Sequence, residues 1–451
     1  MGHDNDIRDG LQKDSRVHDV IIKGGTILTM ADGSAPIKDG TVFILDGTIV
    51  DVQEGGRING LESAGEIIDA RDCLVMPGLV NAHTHSAMTL FRGYADDLPL
   101  KEWLFEKIFP AEAQYLNPET VFWGSLLACL EMIRTGTTSF IDGYFYQDET
   151  VKAAHQAGLR ALIAQGVIDF PAPGIPDPSD GIHVAKDFIE RWRGMSELIT
   201  PSVFCHSLLT CSERTLLEAR QLSNDFSLPL QIHLSETFEE VNEVIERTGK
   251  RPVNYLNEIG VMNGELIAAH AVHIDENEME LMSAKGTKVV HLPESNMKLT
   301  SGISPVKRMI RKGVTVGLGT DGCASNNDFD MFLEMDSAAK ISKILDMDPV
   351  GLDSRTIMRM TTVWGSDLLG KNGQIGTIEK GKRADLIVID LKYPHLCPVY
   401  DPFSLLVYSA SGADVRDVIV NGRILMKNRN FNTLDPHEIM AKIRETCRRF
   451  I

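Results

Sequence analysis

The sequence predicts an α/β protein: a (β/α)8 barrel of the TIM type, joined to a small β-sandwich domain built from both chain ends. Three observations predict it. Eight short apolar runs recur between residues 79 and 321, each followed by a helix-capable stretch. Segments rich in Val and Ile flank them at either end of the chain. Six of the eight apolar runs also finish in a histidine or an acidic residue. Strand and helix alternating over this length fit the eightfold template better than a doubly wound sheet. At 451 residues the chain exceeds one ordinary core, and a barrel with a smaller companion absorbs that length.

Taken in order, residues 1–17 are polar and charged and read as a poorly ordered tail. Residues 18–76 hold short β-like runs, Val20-Ile21-Ile22, Gly25-Thr26-Ile27-Leu28, Val42-Phe43-Ile44-Leu45 and Thr48-Ile49-Val50-Asp51-Val52, broken at Gly and Asp-Gly turns. The texture returns in Ala384-Asp385-Leu386-Ile387-Val388-Ile389 and in 418–425. Neither half has enough strands to cover its own apolar face, so 18–76 and 372–451 are expected to form one composite β-domain. Residues 77–371 are the expected barrel, with strands near 79–85, 138–145, 160–167, 200–206, 229–236, 266–270, 288–291 and 314–321. Residues 119–133 illustrate the helices, since Trp123, Leu126, Leu127, Leu130 and Ile133 repeat at helical spacing.

Bulk properties narrow the function. A formal charge of −18 repels phosphate backbones and anionic lipid, which points to a small-molecule partner and away from nucleic acid and membranes. No apolar run approaches the ~18 residues of a membrane span, and the opening 16 residues lack an export signal, so a cytoplasmic address is expected. Seven scattered cysteines with no Cys-x-x-Cys pair argue for reduced thiols over disulfides or a thiolate metal site.

The strand ends carry the chemistry. The first run ends in His83-Thr84-His85, the fourth in His206, the fifth in His233-Leu234-Ser235-Glu236, the sixth in His270, the seventh in His291 and the eighth in Asp321. In a β/α barrel these ends converge on the face where catalysis occurs. His83 and His85 are two apart, so both can point into the barrel mouth. With His233 and Asp321 they offer three nitrogens and a carboxylate, a donor set for zinc or another divalent first-row ion such as Fe2+ or Mn2+. Glu236, three residues past His233, suits a proton shuttle. Asp321 suits a metal ligand whose second oxygen accepts a proton from the attacking water, and His270 would hold that water from the other side. His291 stays open between site and core, and His273 reads as structural.

These residues carry a family likeness. Val75-Met76-Pro77-Gly78-Leu79-Val80-Asn81-Ala82-His83-Thr84-His85 resembles the first-strand signature of the amidohydrolase superfamily. Ile232-His233-Leu234-Ser235-Glu236-Thr237, Ala268-Ala269-His270 and 319–327 resemble its later ones, and the likeness runs from about Asp19 to the C-terminus. Through Met88-Thr89-Leu90-Phe91-Arg92-Gly93, Asp96-Asp97-Leu98 and Glu102-Trp103-Leu104 the chain is similar to the 5′-methylthioadenosine/S-adenosylhomocysteine deaminases and the 5′-deoxyadenosine deaminases. The resemblance implies a metal on His83, His85, His233 and Asp321, catalytic Glu236 and His270, and Ser325 in support. It implies Trp103 packed on the nucleoside, Glu112 accepting from the ribose hydroxyls and His206 near the sugar or 5′ group. The implied reaction is hydrolytic deamination of an adenine-type nucleoside by a metal-activated water, in a homo-oligomer by analogy with such barrels. Another aminated ring (guanine, a pterin, a triazine) and an inactive binding or scaffold protein are the alternatives.

Departures bear on the substrate. Gln165 stands where relatives that grip an amino-acid tail can place an arginine, and 169–187 contain none. The fourth-strand motif reads Cys205-His206-Ser207-Leu208-Leu209 in place of Pro-His-x-Pro-Tyr, and the seventh reads His291-Leu292-Pro293-Glu294-Ser295-Asn296 in place of His-Asn-Pro-x-Ser-Asn. Neutral 5′-substituted nucleosides fit this pocket best.

Overall fold

In the computed structural model, which describes residues 18–55, 64–448 and 450, two sheets organise the chain. The expected tail, 1–17, lies outside the described residues. The first sheet opens with β1 (His18–Ile27), β2 (Ile37–Leu45), β3 (Thr48–Glu54), β4 (Ala64–Asp69) and β5 (Cys73–Pro77). The barrel follows as β6 (Leu79–Thr84), β7 (Thr137–Tyr144), β8 (Arg160–Val167), β9 (Ile199–Ser207), β10 (Leu230–Leu234), β11 (Leu266–His270), β12 (Lys288–His291) and β13 (Val316–Leu318). The chain then returns to the first sheet with β14 (Leu386–Asp390), β15 (Val415–Val420), β16 (Arg423–Lys427) and β17 (Asn430–Phe431). Among the described residues no helix is long and apolar enough to cross a membrane.

The expected sandwich is one hydrogen-bonded sheet of nine strands among the described residues, ordered β17-β16-β15-β14-β5-β1-β2-β3 with β4 also on β1. Its shape follows from β1. The register breaks at Gly24-Gly25, so that His18 to Lys23 pair with β4 while Thr26 and Ile27 pair with β5. One strand thus serves two neighbours on the same side, and the strands curl around a shared apolar cluster that includes Val20, Ile22, Val42, Ile44, Val75 and Val388. Asp46-Gly47 and Asn421-Gly422 make the tight turns of β2–β3 and β15–β16, all four residues having positive φ. The two turns touch: a Cβ on Gly422 would lie 2.7 Å from Gly47 Cα, so the hairpins from opposite chain ends meet through glycine.

The barrel strands are parallel and in sequence order from β6 to β13. Thr84 and Asp321 form the bridge that brings the last strand back to the first. Ala82, Ile141, Leu162, Ala269 and Val290 fill the interior, capped by Leu368, Leu369 and Ile375, so the barrel is a packed core. The expected helix over 119–133 spans Pro118–Arg134. Asn117 caps it: its Oδ1 accepts from Thr120 N at 3.1 Å while its own N–H donates to Thr120 Oγ1 at 2.9 Å. Arg160 of β8 and Asp385, just before β14, join the two sheets in a buried ion pair at 2.7 Å.

Candidate active site

Each candidate donor sits where a strand ends. His83 lies on β6 and His85 directly after it, His233 on β10, and Asp321 just past β13, where its N–H donates to His83 O at 3.0 Å. Asn81 reinforces this closure, its Oδ1 accepting from Thr320 N at 3.1 Å and its Nδ2 donating to Thr320 Oγ1 at 2.8 Å. Ser235, His270 and Asp321 all adopt positive φ, a backbone state that costs of order 1–3 kcal/mol each in a non-glycine residue. The chain accepts it where strands turn outward and polar side chains must face the barrel axis.

The four groups converge within 4.8 Å of one another. His83 Nε2 and His85 Nε2 lie 3.1 and 3.2 Å from His233 Nε2, and Asp321 Oδ1 lies 3.3 Å from His85 Nε2. A tetrahedral ion with ligands at about 2.0–2.1 Å would hold its donors about 3.3 Å apart, so the spacing fits. His85 Nδ1–H donates to Gly143 O at 2.5 Å, which turns its Nε2 toward the cluster. Burial holds His83 and His233 well below the usual histidine range, which leaves them neutral and able to ligate. At His85 burial opposes charge, but Asp321 overcomes it and holds the ring above its usual value. Asp321 in turn stays well below the carboxylate range despite burial, through His85. Positive charge is therefore favoured between these two groups, and the donor set suits a divalent cation.

Asp142 of β7 braces the ligand strand from behind. Its carboxylate accepts from Thr84 Oγ1 at 2.7 Å, Ser86 N at 2.6 Å and Gln147 Nε2 at 2.7 Å. Ser295 donates to Asp321 Oδ2 at 2.7 Å, and Ser325 lies 3.2 Å from the same oxygen.

Glu236 and His270 stand beside the cluster, with Glu236 Oε2 3.6 Å from His270 Nε2 and Asp321 Oδ2 4.0 Å from that nitrogen. Burial raises the Glu236 carboxyl above its usual value, so it can hold a proton nearer neutrality. Ser301 Oγ donates to Glu236 Oε1 at 2.9 Å, and His270 Nδ1–H donates to Asn296 Oδ1 at 2.9 Å. Glu240 accepts from the backbone N–H of Ser235 at 3.1 Å and of Glu236 at 2.7 Å, which fixes the turn after β10.

The cluster opens into a cavity lined mainly by apolar and aromatic side chains with a few polar groups among them, the make-up of a small-molecule site. Trp103, Glu112, His206 and Ser325 all line it, together with Glu236 and His270. Trp103 starts a π-helical turn, Trp103–Ile108, and is 6% exposed. Glu112 is 3% exposed, so it is no solvated helix-start charge, and burial lifts its carboxyl to about 7. His206 Nδ1 lies 2.9 Å from Thr210 Oγ1. His291 is buried but does not line the cavity. His273 Nε2–H donates to Ser301 O at 2.7 Å and so braces the segment that reaches Glu236.

Sequence reasoning passed over Tyr144, Asp142, Asn296, Ser295 and Ser301. Ser295 and Asn296 lie in a motif already singled out, directly after β12, and that position was the available signal. Tyr144 closes a strand that was identified, but an aromatic residue there looks like core.

The model of the Amidohydrolase family matches residues 74–425. A 5-methylthioadenosine/S-adenosylhomocysteine deaminase of Syntrophus aciditrophicus is 44% identical over 431 residues, covering 96% of this chain and 97% of that protein. A 5′-deoxyadenosine deaminase of Methanosarcina acetivorans is 44% identical over 436 residues, covering 96% and 98%. The crystal structure of an adenosine deaminase from Xanthomonas campestris with bound zinc superposes with a TM-score of 0.93 at 36% identity, covering 96% of this chain and 98% of that one.

Proposed function

Since this chain belongs to the amidohydrolase family, we propose that it deaminates adenine nucleosides hydrolytically, with neutral 5′-substituted substrates such as 5′-methylthioadenosine and 5′-deoxyadenosine preferred. The reaction joins a water oxygen to C6, breaks the C6–N bond and releases ammonia, leaving the inosine-type product. One observation carries the reading. A single cavity is lined by His85, His233 and Asp321 of the four-donor cluster with Glu236 beside them, an aromatic wall at Trp103 and a buried carboxyl at Glu112, and among the described residues no Lys or Arg lines it. A planar base suits the aromatic wall, and a diol suits the carboxyl. A charged amino-acid tail would meet no cation there.

His83, His85, His233 and Asp321 would hold the metal, in our reading one zinc ion per subunit. Such an ion supplies Lewis acidity that lets water act as a nucleophile near neutral pH. Glu236 then delivers a proton to ring nitrogen N1, a role its raised carboxyl value supports. His270, oriented by Asn296, keeps Nε2 toward Glu236 and Asp321 and helps take up protons from the attacking water. Trp103 covers the base, and the apolar side chains Leu104, Phe145 and Val167 exclude bulk water.

The test is ammonia release by the zinc-loaded enzyme. We expect kcat/KM for 5′-deoxyadenosine and 5′-methylthioadenosine at least tenfold above that for S-adenosylhomocysteine. Glu236→Gln should keep its metal but lose about 10²–10⁴-fold in kcat. No ammonia from any adenine nucleoside would overturn the reading.

A further inference from the structure

Glu112 and Tyr144 form a buried pair that the chemistry at C6 does not require. Glu112 lies on the helix Phe109–Tyr115, Tyr144 is the last residue of β7, and both line the cavity. Tyr144 Oη donates to Glu112 Oε1 at 2.5 Å. It is the sole hydrogen bond this carboxyl makes among the described residues, so Oε2 keeps its lone pairs. The tyrosine is itself firmly placed. The carbonyl of its neighbour Gly143 receives the His85 Nδ1–H, and its ring lies 5.9 Å from that of His85 and 5.5 Å from that of Phe145. Burial and Glu112 push the Tyr144 hydroxyl well above its usual value, so it remains an O–H donor at any working pH.

A carboxyl with one oxygen held by a fixed donor has lost its freedom to rotate. The cost of orienting its other oxygen is therefore met before a ligand arrives, which is how preorganisation adds affinity. A site built to accept a hydroxyl also rejects the analogue that lacks it, because the acceptor is then left buried without a partner. We propose that Tyr144 is a specificity-determining positioning residue, whose hydroxyl holds Glu112 so that Oε2 receives the ribose hydroxyls and ribonucleosides are selected over 2′-deoxy analogues. The inference rests on the nucleoside reading above.

The experiment compares 5′-deoxyadenosine with 2′,5′-dideoxyadenosine, which differ only in the 2′-hydroxyl, in the zinc-loaded wild type and in Tyr144→Phe. The variant keeps the ring and removes the donor. We expect its KM for 5′-deoxyadenosine to rise about tenfold with kcat within twofold, and its KM for 2′,5′-dideoxyadenosine to move less than twofold. Equal losses on both substrates, a fall in kcat alone, or no change would overturn the proposal. Glu112→Gln provides a second arm should Tyr144→Phe fold poorly: it should lose the same 2′-hydroxyl preference, and a full preference retained there also overturns it. A wild type inert toward both nucleosides would defeat the nucleoside reading and this proposal together. An active wild type with an unaltered Tyr144→Phe would defeat this proposal alone.

Discussion

Glu112 concentrates the behaviour of the cavity in one side chain. Burial lifts its carboxyl to about 7, against the opposing hydrogen bond from Tyr144, so its ionised fraction rises as pH passes through neutrality. The carboxylate accepts hydroxyl donors better than the acid does. Apparent affinity scales with the competent fraction, so KM for 5′-deoxyadenosine should fall roughly tenfold between pH 6 and pH 8, with a flat profile in Glu112→Gln. At this scale the sequence was legible where the fold alone gathers residues. His83, His85, His233, His270 and Asp321 stand out because each ends or directly follows an apolar run, and Glu236 because it follows a ligand-type histidine. Trp103 and Glu112 entered through family likeness, and His206, visible as the end of the fourth run, took its expected role from that likeness. Tyr144 and Ser301 could not be read, because each gains its meaning from a partner 32 or 65 residues away.

Among the elements, the seam between β6 and β13 is the most demanding. Gly319 packs against the ligand strand so closely that a Cβ would lie 2.7 Å from His83 N and 3.0 Å from His83 O. Backbone atoms cannot yield as a flexible side chain can. Gly319→Ala should therefore open the seam, displacing Asp321 from His83, and appear as a lowered melting temperature together with loss of bound zinc measured by elemental analysis. The eight barrel strands were visible in the sequence because each is a short apolar run followed by a helix-capable stretch, six of them with a histidine or acidic end. The partner change within β1 was not: Gly24-Gly25 announces a break, but which strands pair on either side depends on β4 and β5, more than 35 residues away. β4 went unread for a related reason. Its Ile67 is exposed and Ile68 buried, so it shows neither a continuous apolar run nor a long alternation.

On the scale of the whole molecule, Arg160 and Asp385 tie barrel to composite sheet. Asp385 accepts from Arg160 Nε at 2.7 Å and Nη2 at 3.1 Å, and from Asn421 N at 2.7 Å, with both side chains nearly inaccessible. Removing one partner strands a buried charge, so Asp385→Ala should cost about 3–5 kcal/mol in urea unfolding, and pairing it with Arg160→Met should recover much of that loss. The C-terminal helix Pro436–Cys447 leads to Phe450, whose ring stacks on Tyr115 at 4.2 Å and on Phe91 at 5.9 Å. The last part of the chain thus packs against the helix that carries Glu112 and the turn that follows His85.

That return of the chain to its own beginning sets an order in time. β14 pairs with β5, yet about 310 residues separate Pro77 from Leu386. At the ~5–20 residues per second of protein synthesis, β5 waits roughly 15–60 s for this neighbour. Throughout that interval the ribosome-bound chain presents an unfinished sheet edge, the kind of surface that chaperones shield and that invites mispairing between nascent chains on one message.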